Sequence, residues 1–226
     1  MRVQIINYSK NIEKMVAQAA RLCYSSRNIN EIAESMDKNM QDRMIKKIMK
    51  LGHYSVLEHV SFTFGIEDIS RTCSHQLVRH RIASFSQRSQ RYVKFGSGDD
   101  KQFVIPHNIK NDNNLLQKFK DLTAKSFELY QEMIEKDIPA EDARYILPQA
   151  IGTSIIFTAN ARELIHFFRL RCCNRAQWEI RELAIAMLEL VRKEAPLIFK
   201  DAGPPCLIGP CPEGEMSCGK PWHREN

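Results

Sequence analysis

The 226 residues carry 43% apolar side chains, a formal charge of +6 and seven cysteines, enough to bury a sizeable core. The charge is modest, and its arginines recur inside apolar segments, which disfavours the long basic block of a polynucleotide-binding tail. No window approaches the roughly twenty apolar residues of a membrane span, and the opening MRVQIINYSK lacks a signal peptide's apolar stretch, so a soluble, cytoplasmic chain with no membrane partner is expected.

No linker or internal repeat breaks the middle, which predicts one domain over 1–200 and a Cys/Gly/Pro-rich tail over 201–226. Val60, Phe62, Phe64 and Ile66 alternate with Ser61, Thr63, Gly65 and Glu67, the period of a strand with one buried face. Ile69 to Arg81 reads as a helix, with Glu67 and Asp68 suited to its electropositive first turn. On it, Gln76, Arg79 and His80 would share a face open to polar ligand groups, with Leu77 and Val78 directed inward. Ile82 to Arg88 is too polar for a helix, so Ser84, Ser86 and Ser89 are expected on a ligand-holding loop leading to Tyr92 and Val93.

A long scaffold helix is expected from about Leu115 to Lys136, with Leu115, Phe119, Leu122, Leu129 and Met133 as its apolar stripe. Pro139, Glu141 and Asp142 open another helix, which Leu147-Pro148 closes before the β-prone run Ser154 to Thr158. Asn160 then caps a helix, with Glu163 where a capping-box partner belongs. Along it Arg162, His166 and Arg169 form a second basic stripe, while Leu164, Phe167 and Phe168 face other ways. If the two basic stripes face each other they make a cleft. Ile180, Leu183, Met187 and Leu190 mark a last amphipathic helix from Gln177 to Lys193. Strands interspersed with helices predict a mixed fold, α+β or α/β.

The odd number of cysteines argues for free thiols. Cys23, Cys73, Cys172 and Cys173 read as small core hydrophobes. Cys206, Cys211 and Cys218, with His223 beyond, could offer zinc three thiolates and an imidazole, but gaps of five, seven and five positions contain no close pair, and no metal is expected. His53, His59 and His75 form no HExxH pattern, and His59 reads as structural. Trp178, Phe167 and Phe168 are expected in the core or at subunit contacts.

The densest functional signal is RHRIASFSQRSQRY, Arg79 to Tyr92, with four arginines, one histidine and three serines in fourteen residues. Guanidinium forks take phosphate or carboxylate oxygens in pairs, and serine hydroxyls fill remaining acceptor sites, so a phosphorylated ligand is indicated. A solvated basic face is the plainer alternative. For Arg171 and Arg175 the plainer alternative is surface pairing with Glu163, Glu179 or Glu182. Ser89 as a nucleophile lacks a neighbouring base held by a third group. Phe85, Tyr92 and Phe95 among the arginines leave open an RNA or single-stranded nucleic-acid binder.

Arg79, His80, Arg81, Ser84, Ser89 and Arg91 match RHRxxSxxxxSxR, and the chain resembles the flavin-dependent thymidylate synthases. HYSVLEH (53–59) and FTANARELIHFFRLRCCNRAQWEIR (157–181) extend the resemblance. It implies a central, mostly antiparallel sheet flanked by long helices, and a homotetramer with active sites between subunits. It also implies conversion of dUMP to dTMP with 5,10-methylenetetrahydrofolate as carbon donor, FAD as cofactor and NADPH or NADH as reductant, with no nucleic-acid partner. Ser55, Arg79, His80, Arg81 and Gln87 would contact FAD, with Asn160, Arg162 and His166 contributing from another subunit. Gln76, Arg79, Arg144 and the loop Gln87, Arg88, Ser89, Gln90 and Arg91 would hold dUMP. His53 and Glu58 would lie on the folate and flavin side, and Arg171 would activate the uracil. Many members carry Asn at the position of His166 and Glu at that of Gln87. A flavoprotein methylating uracil in RNA is a further alternative. Without a cysteine adding at C6, negative charge must develop on the pyrimidine itself, and a guanidinium that stays charged and planar suits that task better than an ammonium.

Overall fold

A computed structural model describes residues 1–95 and 103–222. Two compact units divide the chain, each gathered from separated stretches. One holds Met1–Arg2, Ile66–Arg79 and Phe85–Ile156, the other Val3–Gly65, His80–Ser84 and Phe157–Asn226; they are called the first and second units below.

The chain opens with strand β1 (Arg2–Tyr8) and helices α1 (Ile12–Leu22), α2 (Ile29–Glu34) and α3 (Lys38–Leu51). Asn28 Oδ1 accepts the Glu31 N–H, and Asp37 Oδ1 that of Met40, so α2 and α3 each begin on a side-chain cap. α1 buries Ile12, Val16, Ala17 and Ala20. On the same side Glu13 accepts from Lys38 Nζ at 2.8 Å and from the Leu197 N–H at 3.0 Å. A 3₁₀ segment, Tyr54–His59, leads into strand β2 (Ser61–Ser70).

Val60, Phe62, Phe64 and Ile66 are buried, as their alternation requires. The strand outruns the expectation, because Glu67 and Asp68 pair with Arg2 at 3.2 Å each instead of opening a helix. Helix α4 (Arg71–Leu77) starts only where Ser70 Oγ can accept the Cys73 N–H, at 3.0 Å, and is shorter at both ends than the expected Ile69–Arg81. Val78, expected inward, is 40% exposed. Arg79 and His80 follow the helix, so they share no helix face with Gln76 and the first basic stripe does not exist as such. Next comes strand β3 (Ala83–Gln87), not a loop. Ala83, Phe85 and Gln87 are half-buried while Ser84 and Ser86 face solvent, so serines on the wet face concealed a two-residue period. Ser89 does lie beyond the strand.

Helices α5 (His107–Lys110), α6 (Asn113–Glu135) and α7 (Ala140–Ala143) follow. α6 has the expected span, but its leucine stripe is not what it buries. Leu115, Leu122 and Leu129 are 51%, 70% and 39% exposed, and the buried positions are Thr123 and Tyr130. Tyr130 turns inward because its hydroxyl accepts the Phe95 N–H at 3.1 Å.

Strand β4 (Gly152–Asn160) completes a four-stranded sheet of order β1-β2-β4-β3. In the first unit the Arg71 N–H donates to the Ile151 oxygen at 3.0 Å; in the second the Ala161 N–H donates to the Val60 oxygen at 2.9 Å, and the Thr63 and Thr158 hydroxyls meet at 3.0 Å. Residue numbers rise on one strand as they fall on the other, so β2 and β4 are antiparallel. Helices α8 (Ala161–Arg171), α9 (Trp178–Glu194) and α10 (Pro196–Phe199) end the regular structure. The second unit's core is aromatic. Phe64 stacks on Phe157 at 6.0 Å, Phe62 meets Phe199 edge-on at 5.6 Å, and Phe167 meets Phe168 likewise at 5.6 Å, each contact adding about 0.5–1.5 kcal/mol beyond area burial. α9 buries Ile180, Leu183 and Met187 as expected, with Val191 rather than half-buried Leu190 completing the stripe. Cys73 and Cys172 are core residues, Cys173 is half-buried, and Cys23 is exposed, contrary to expectation. Among the described residues no helix is long and apolar enough to cross a membrane.

Candidate active site

In the first unit, Gln76 occupies the last turn of α4, and exposed Arg79 follows with its N–H on the Gln76 oxygen at 3.4 Å. Gln87 turns its side chain inward, Nε2 donating to Ser74 Oγ at 2.8 Å and to Thr153 Oγ1 at 3.2 Å. Ser74 Oγ in turn donates to the Arg71 oxygen at 3.0 Å. Gln87 thus braces the base of the loop that follows. The Arg88 N–H is fixed to the Ser154 oxygen at 3.0 Å. Ser89 Oγ accepts the Arg91 N–H at 3.2 Å, and the Ser89 oxygen accepts the Val93 N–H at 3.1 Å, so the turn through Gln90 winds around Ser89.

Two arginines then converge on one residue. Arg91 Nε donates to the Glu141 carboxylate at 2.8 Å, and Arg144 Nε to the Glu141 backbone oxygen at 3.1 Å. Arg71, half-buried on α4, has its guanidinium pKa pulled down first by burial and then by the Arg144 charge. Cations crowded so closely favour an anion beside them. The sequence reading missed Arg71, since nothing in its local context separates it from an ordinary helix-surface arginine.

In the second unit, Asn160 Oδ1 accepts the Glu163 N–H at 2.8 Å and caps α8. Glu163 does not return the favour as a capping box would. Its carboxylate, Oε1, instead accepts from His80 Nδ1 at 3.2 Å, while Arg171 Nε donates to His80 Nε2 at 3.1 Å. A guanidinium cannot accept, so the proton of His80 sits on Nδ1 and its Nε2 lone pair faces Arg171. The ring is buried, edge-on to Phe167 at 4.9 Å and to His166 at 6.0 Å. Burial, then the charges of Arg171 and His166, push the His80 pKa down to about 4, so the histidine is neutral and its contact with Glu163 is a hydrogen bond to a carboxylate rather than an ion pair. Burial pushes the Glu163 carboxyl up, partly offset by His166. His80, Glu163 and His166 place three ligand atoms within 4.8 Å of one another, yet His80 has no lone pair left for a metal.

Arg162, His166 and Arg169 line the exposed side of α8 as expected, and Arg162 pairs with Glu58. Ser55 and Glu58 are exposed on the 3₁₀ segment, and exposed His53 meets the Tyr24 hydroxyl through Nδ1 at 3.3 Å. Ser55 and His59 border an open cavity of about 410 Å³ walled by Met15, Leu22 and Ile29. Arg175 pairs with Glu213 rather than with Glu179 or Glu182.

A family model described as thymidylate synthase complementing protein matches residues 4–197. A relative from Geobacter sulfurreducens named flavin-dependent thymidylate synthase is 54% identical over 220 residues, covering 97% of this chain and 94% of its own. Relatives of the same name from Clostridium tetani and Pyrococcus furiosus are 48% and 46% identical over 236 and 222 residues, covering 97% and 96% of this chain and 94% and 91% of theirs. The chain belongs to the flavin-dependent thymidylate synthase family.

For a flavin-dependent thymidylate synthase, the donor sets described above suit the cofactor. A flavin nucleotide offers phosphate oxygens and a ring edge of mixed donors and acceptors. The exposed side of α8 carries donors that would fit it, Arg162, His166 and Arg169, the first of them in the electropositive opening turn. His80 is different, since both its ring nitrogens are used within the chain. The cysteine next to Arg171 is also informative in this enzyme. Cys172 is fully buried and its thiol is pushed up to about 12, chiefly by burial, so it supplies no thiolate at neutral pH.

Proposed function

We propose that this enzyme converts dUMP to dTMP in the cytoplasm, with 5,10-methylenetetrahydrofolate as carbon donor, FAD as cofactor and NADPH or NADH as reductant, in a homotetramer whose active sites are shared between copies. The observation that carries the reading is the chain of contacts Glu163–His80–Arg171 beside a cysteine that is not a nucleophile. FAD, once reduced, supplies the hydride. Arg171 stands at the N3–C4–O4 edge of the uracil and stabilises the charge that develops there as C5 attacks the methylene carbon. Neutral His80 holds Arg171 through Nε2 without adding a positive charge beside the substrate. Gln76, Arg79, Arg88, Ser89, Gln90, Arg91 and Arg144 hold the nucleotide, with Arg71 adding to the field around its phosphate. Arg79, Arg81, Asn160, Arg162 and His166 contact FAD, with Ser55, His53 and Glu58 on the folate and flavin side; His80 and Gln87 serve these sites by positioning their neighbours.

The test is a turnover assay with dUMP, methylenetetrahydrofolate, FAD and NADPH that follows tritium release from C5 together with dTMP. Release of tritium with stoichiometric dTMP is expected. Tritium release without dTMP, or methylation of uridine-containing RNA in preference to dUMP, would reject the reading.

A further inference from the structure

The reaction proposed above uses no thiol, yet four cysteines line one cavity. Cys173 lies in the connection between α8 and α9, and Cys206, Cys211 and Cys218 lie in the segment after α10. All four are half-buried, free, and on the wall of a cavity of about 250 Å³ in the second unit. The spacing of Cys206, Cys211 and Cys218 taken alone lacks the close pair of common zinc motifs. Cys173 changes that judgement, because it brings a fourth sulfur from a distant part of the sequence and removes the need for His223, which lies outside the described residues.

Three further observations suit a metal. The first is how little else organises the segment. Between residues 203 and 222 the regular structure is two three-residue 3₁₀ turns, Pro205–Leu207 and Gly214–Met216, too little to bury a core of its own, and short coreless segments are commonly fixed by a metal or a disulfide. The second is backbone geometry. Gly214 and Gly219 take φ of +54° and +67°, left-handed turns that fold the chain back so that successive cysteines face one space. The third is hydrogen bonding to sulfur. The Trp222 N–H donates to Cys206 Sγ at 3.4 Å and the Lys220 N–H to Cys218 Sγ at 3.4 Å, while the Cys218 thiol donates to the Lys220 oxygen at 3.5 Å, a proton that metal binding would displace. Metal-bound sulfurs commonly accept backbone N–H bonds of this kind, so these amides stand where ligating sulfurs would use them. The segment is also tied across the cavity, by Asn174 Nδ2 donating to the Lys220 oxygen at 2.9 Å and by Arg175 pairing with Glu213 at 2.6 Å.

We propose that Cys173, Cys206, Cys211 and Cys218 form a tetrahedral thiolate site for one zinc ion, which clamps the 203–222 segment onto the α8–α9 connection. Binding replaces each S–H by an S–Zn bond and releases the thiol protons to solvent. Four thiolates around a divalent cation leave a net charge of −2, which Lys220 on the cavity wall, and in part Glu213-paired Arg175, offset. Among the described residues these sulfurs do not stand within 4.8 Å of one another as a threesome, whereas Zn–S bonds of about 2.3 Å require it, so binding draws the turns inward. Zinc has no redox chemistry and suits a clamp of this kind.

The full-length protein, purified from zinc-supplemented medium, is assayed by inductively coupled plasma mass spectrometry. About one zinc per chain is expected, lost in Cys211→Ser and in Cys218→Ser and retained in Cys23→Ser. Cobalt substitution should give the strong near-ultraviolet sulfur-to-cobalt absorption and visible bands of a tetrahedral site. A measurement on the unaltered chain stands even if the variants do not fold. Iodoacetamide should label Cys23 at once and the four cavity cysteines only after a chelator is added, with release of zinc. Absence of zinc, zinc retained in the Cys211→Ser and Cys218→Ser variants, iron with acid-labile sulfide in its place, or cavity cysteines alkylated as fast as Cys23 would each overturn the proposal.

Discussion

Arg171 Nε donates to His80 Nε2 at 3.1 Å, and this contact fixes both the tautomer of the histidine and the position of the arginine. Glu163 accepts the single ring N–H, on Nδ1, so three residues from two distant parts of the sequence share one proton arrangement.

That arrangement makes the fold acid-sensitive. The His80 pKa falls from 6.5 in the unfolded chain to about 4 in the folded one, so below pH 6.5 the unfolded chain takes up a proton that the folded chain refuses. Stability is complete above pH 6.5 and declines as the pH drops from 6.5 toward 4, by at most on the order of 3 kcal/mol. Glu163, with its raised pKa, acts in the opposite sense and reduces the loss. Urea unfolding at pH 7 and pH 5 should show a falling midpoint for the wild type and a flatter dependence for His80→Asn. Equal slopes for the two proteins would remove His80 as the source.

Replacing Arg171 by Ala should leave flavin bound and lower kcat for dTMP by about 10²–10³-fold, the usual result of losing one donor aimed at developing charge. Arg171→Lys should recover little, because an ammonium cannot reproduce the planar, multiply donating fork. Flavin absorbance and dTMP formation measured on the same preparations decide it; wild-type turnover in Arg171→Ala would remove the residue from the mechanism.

Gln87→Glu should cost stability although it is nearly isosteric. The amide donates to Ser74 and Thr153, and a carboxylate would have to accept from both. Ser74 already donates to the Arg71 oxygen, so one contact is lost, at about 1–3 kcal/mol. Against the wild type, the deficit measured by thermal unfolding should shrink near pH 4, where the new carboxyl gains a proton and can donate. A deficit independent of pH would mean that packing, not donor direction, fixes this position.

Glu141→Gln should strengthen dUMP binding. The Arg91–Glu141 pair is about half exposed, with side chains 52% and 47% accessible, so its loss costs less than about 1 kcal/mol. Removal of a negative charge beside the proposed phosphate site should lower KM for dUMP a few-fold with kcat unchanged. A higher KM would show that Glu141 is needed to aim Arg91.

Much of this was legible wherever polarity and period agree. β2 announces itself through Val60, Phe62, Phe64 and Ile66; α9 through Ile180, Leu183 and Met187; and the α8 start through Asn160. The first strand and five helices, α1, α2, α3, α5 and α10, were not read. The inward face of α1 is carried partly by Ala17 and Ala20, whose small side chains give a weak apolar signal, and α2 and α3 are short pieces separated by Ser35 and Asp37. β3 was missed because Ser84 and Ser86 made a strand look like a loop. At the site, the signature residues around Arg79 stood out through composition and through resemblance. Neither the turning of Glu163 from the expected capping box to His80, 83 positions away in sequence, nor the closeness of Arg71 to Arg144 leaves any trace in local sequence. Both arise only when remote segments pack.

The division of the chain into interleaved units also bears on its synthesis. The segment Val3–Gly65 leaves the ribosome early, but some of its partners lie beyond Phe157: the Leu197 amide that meets Glu13, and Phe199, which packs against Phe62. At roughly 5–20 residues per second, the amino-terminal helices wait about 10 s for those partners. α1 can pack early on α3 and the 3₁₀ segment, but throughout that interval the apolar face of β2 lacks Phe157 and Phe199, which makes the nascent chain a natural client for holding chaperones and ties its yield in cells to translation speed.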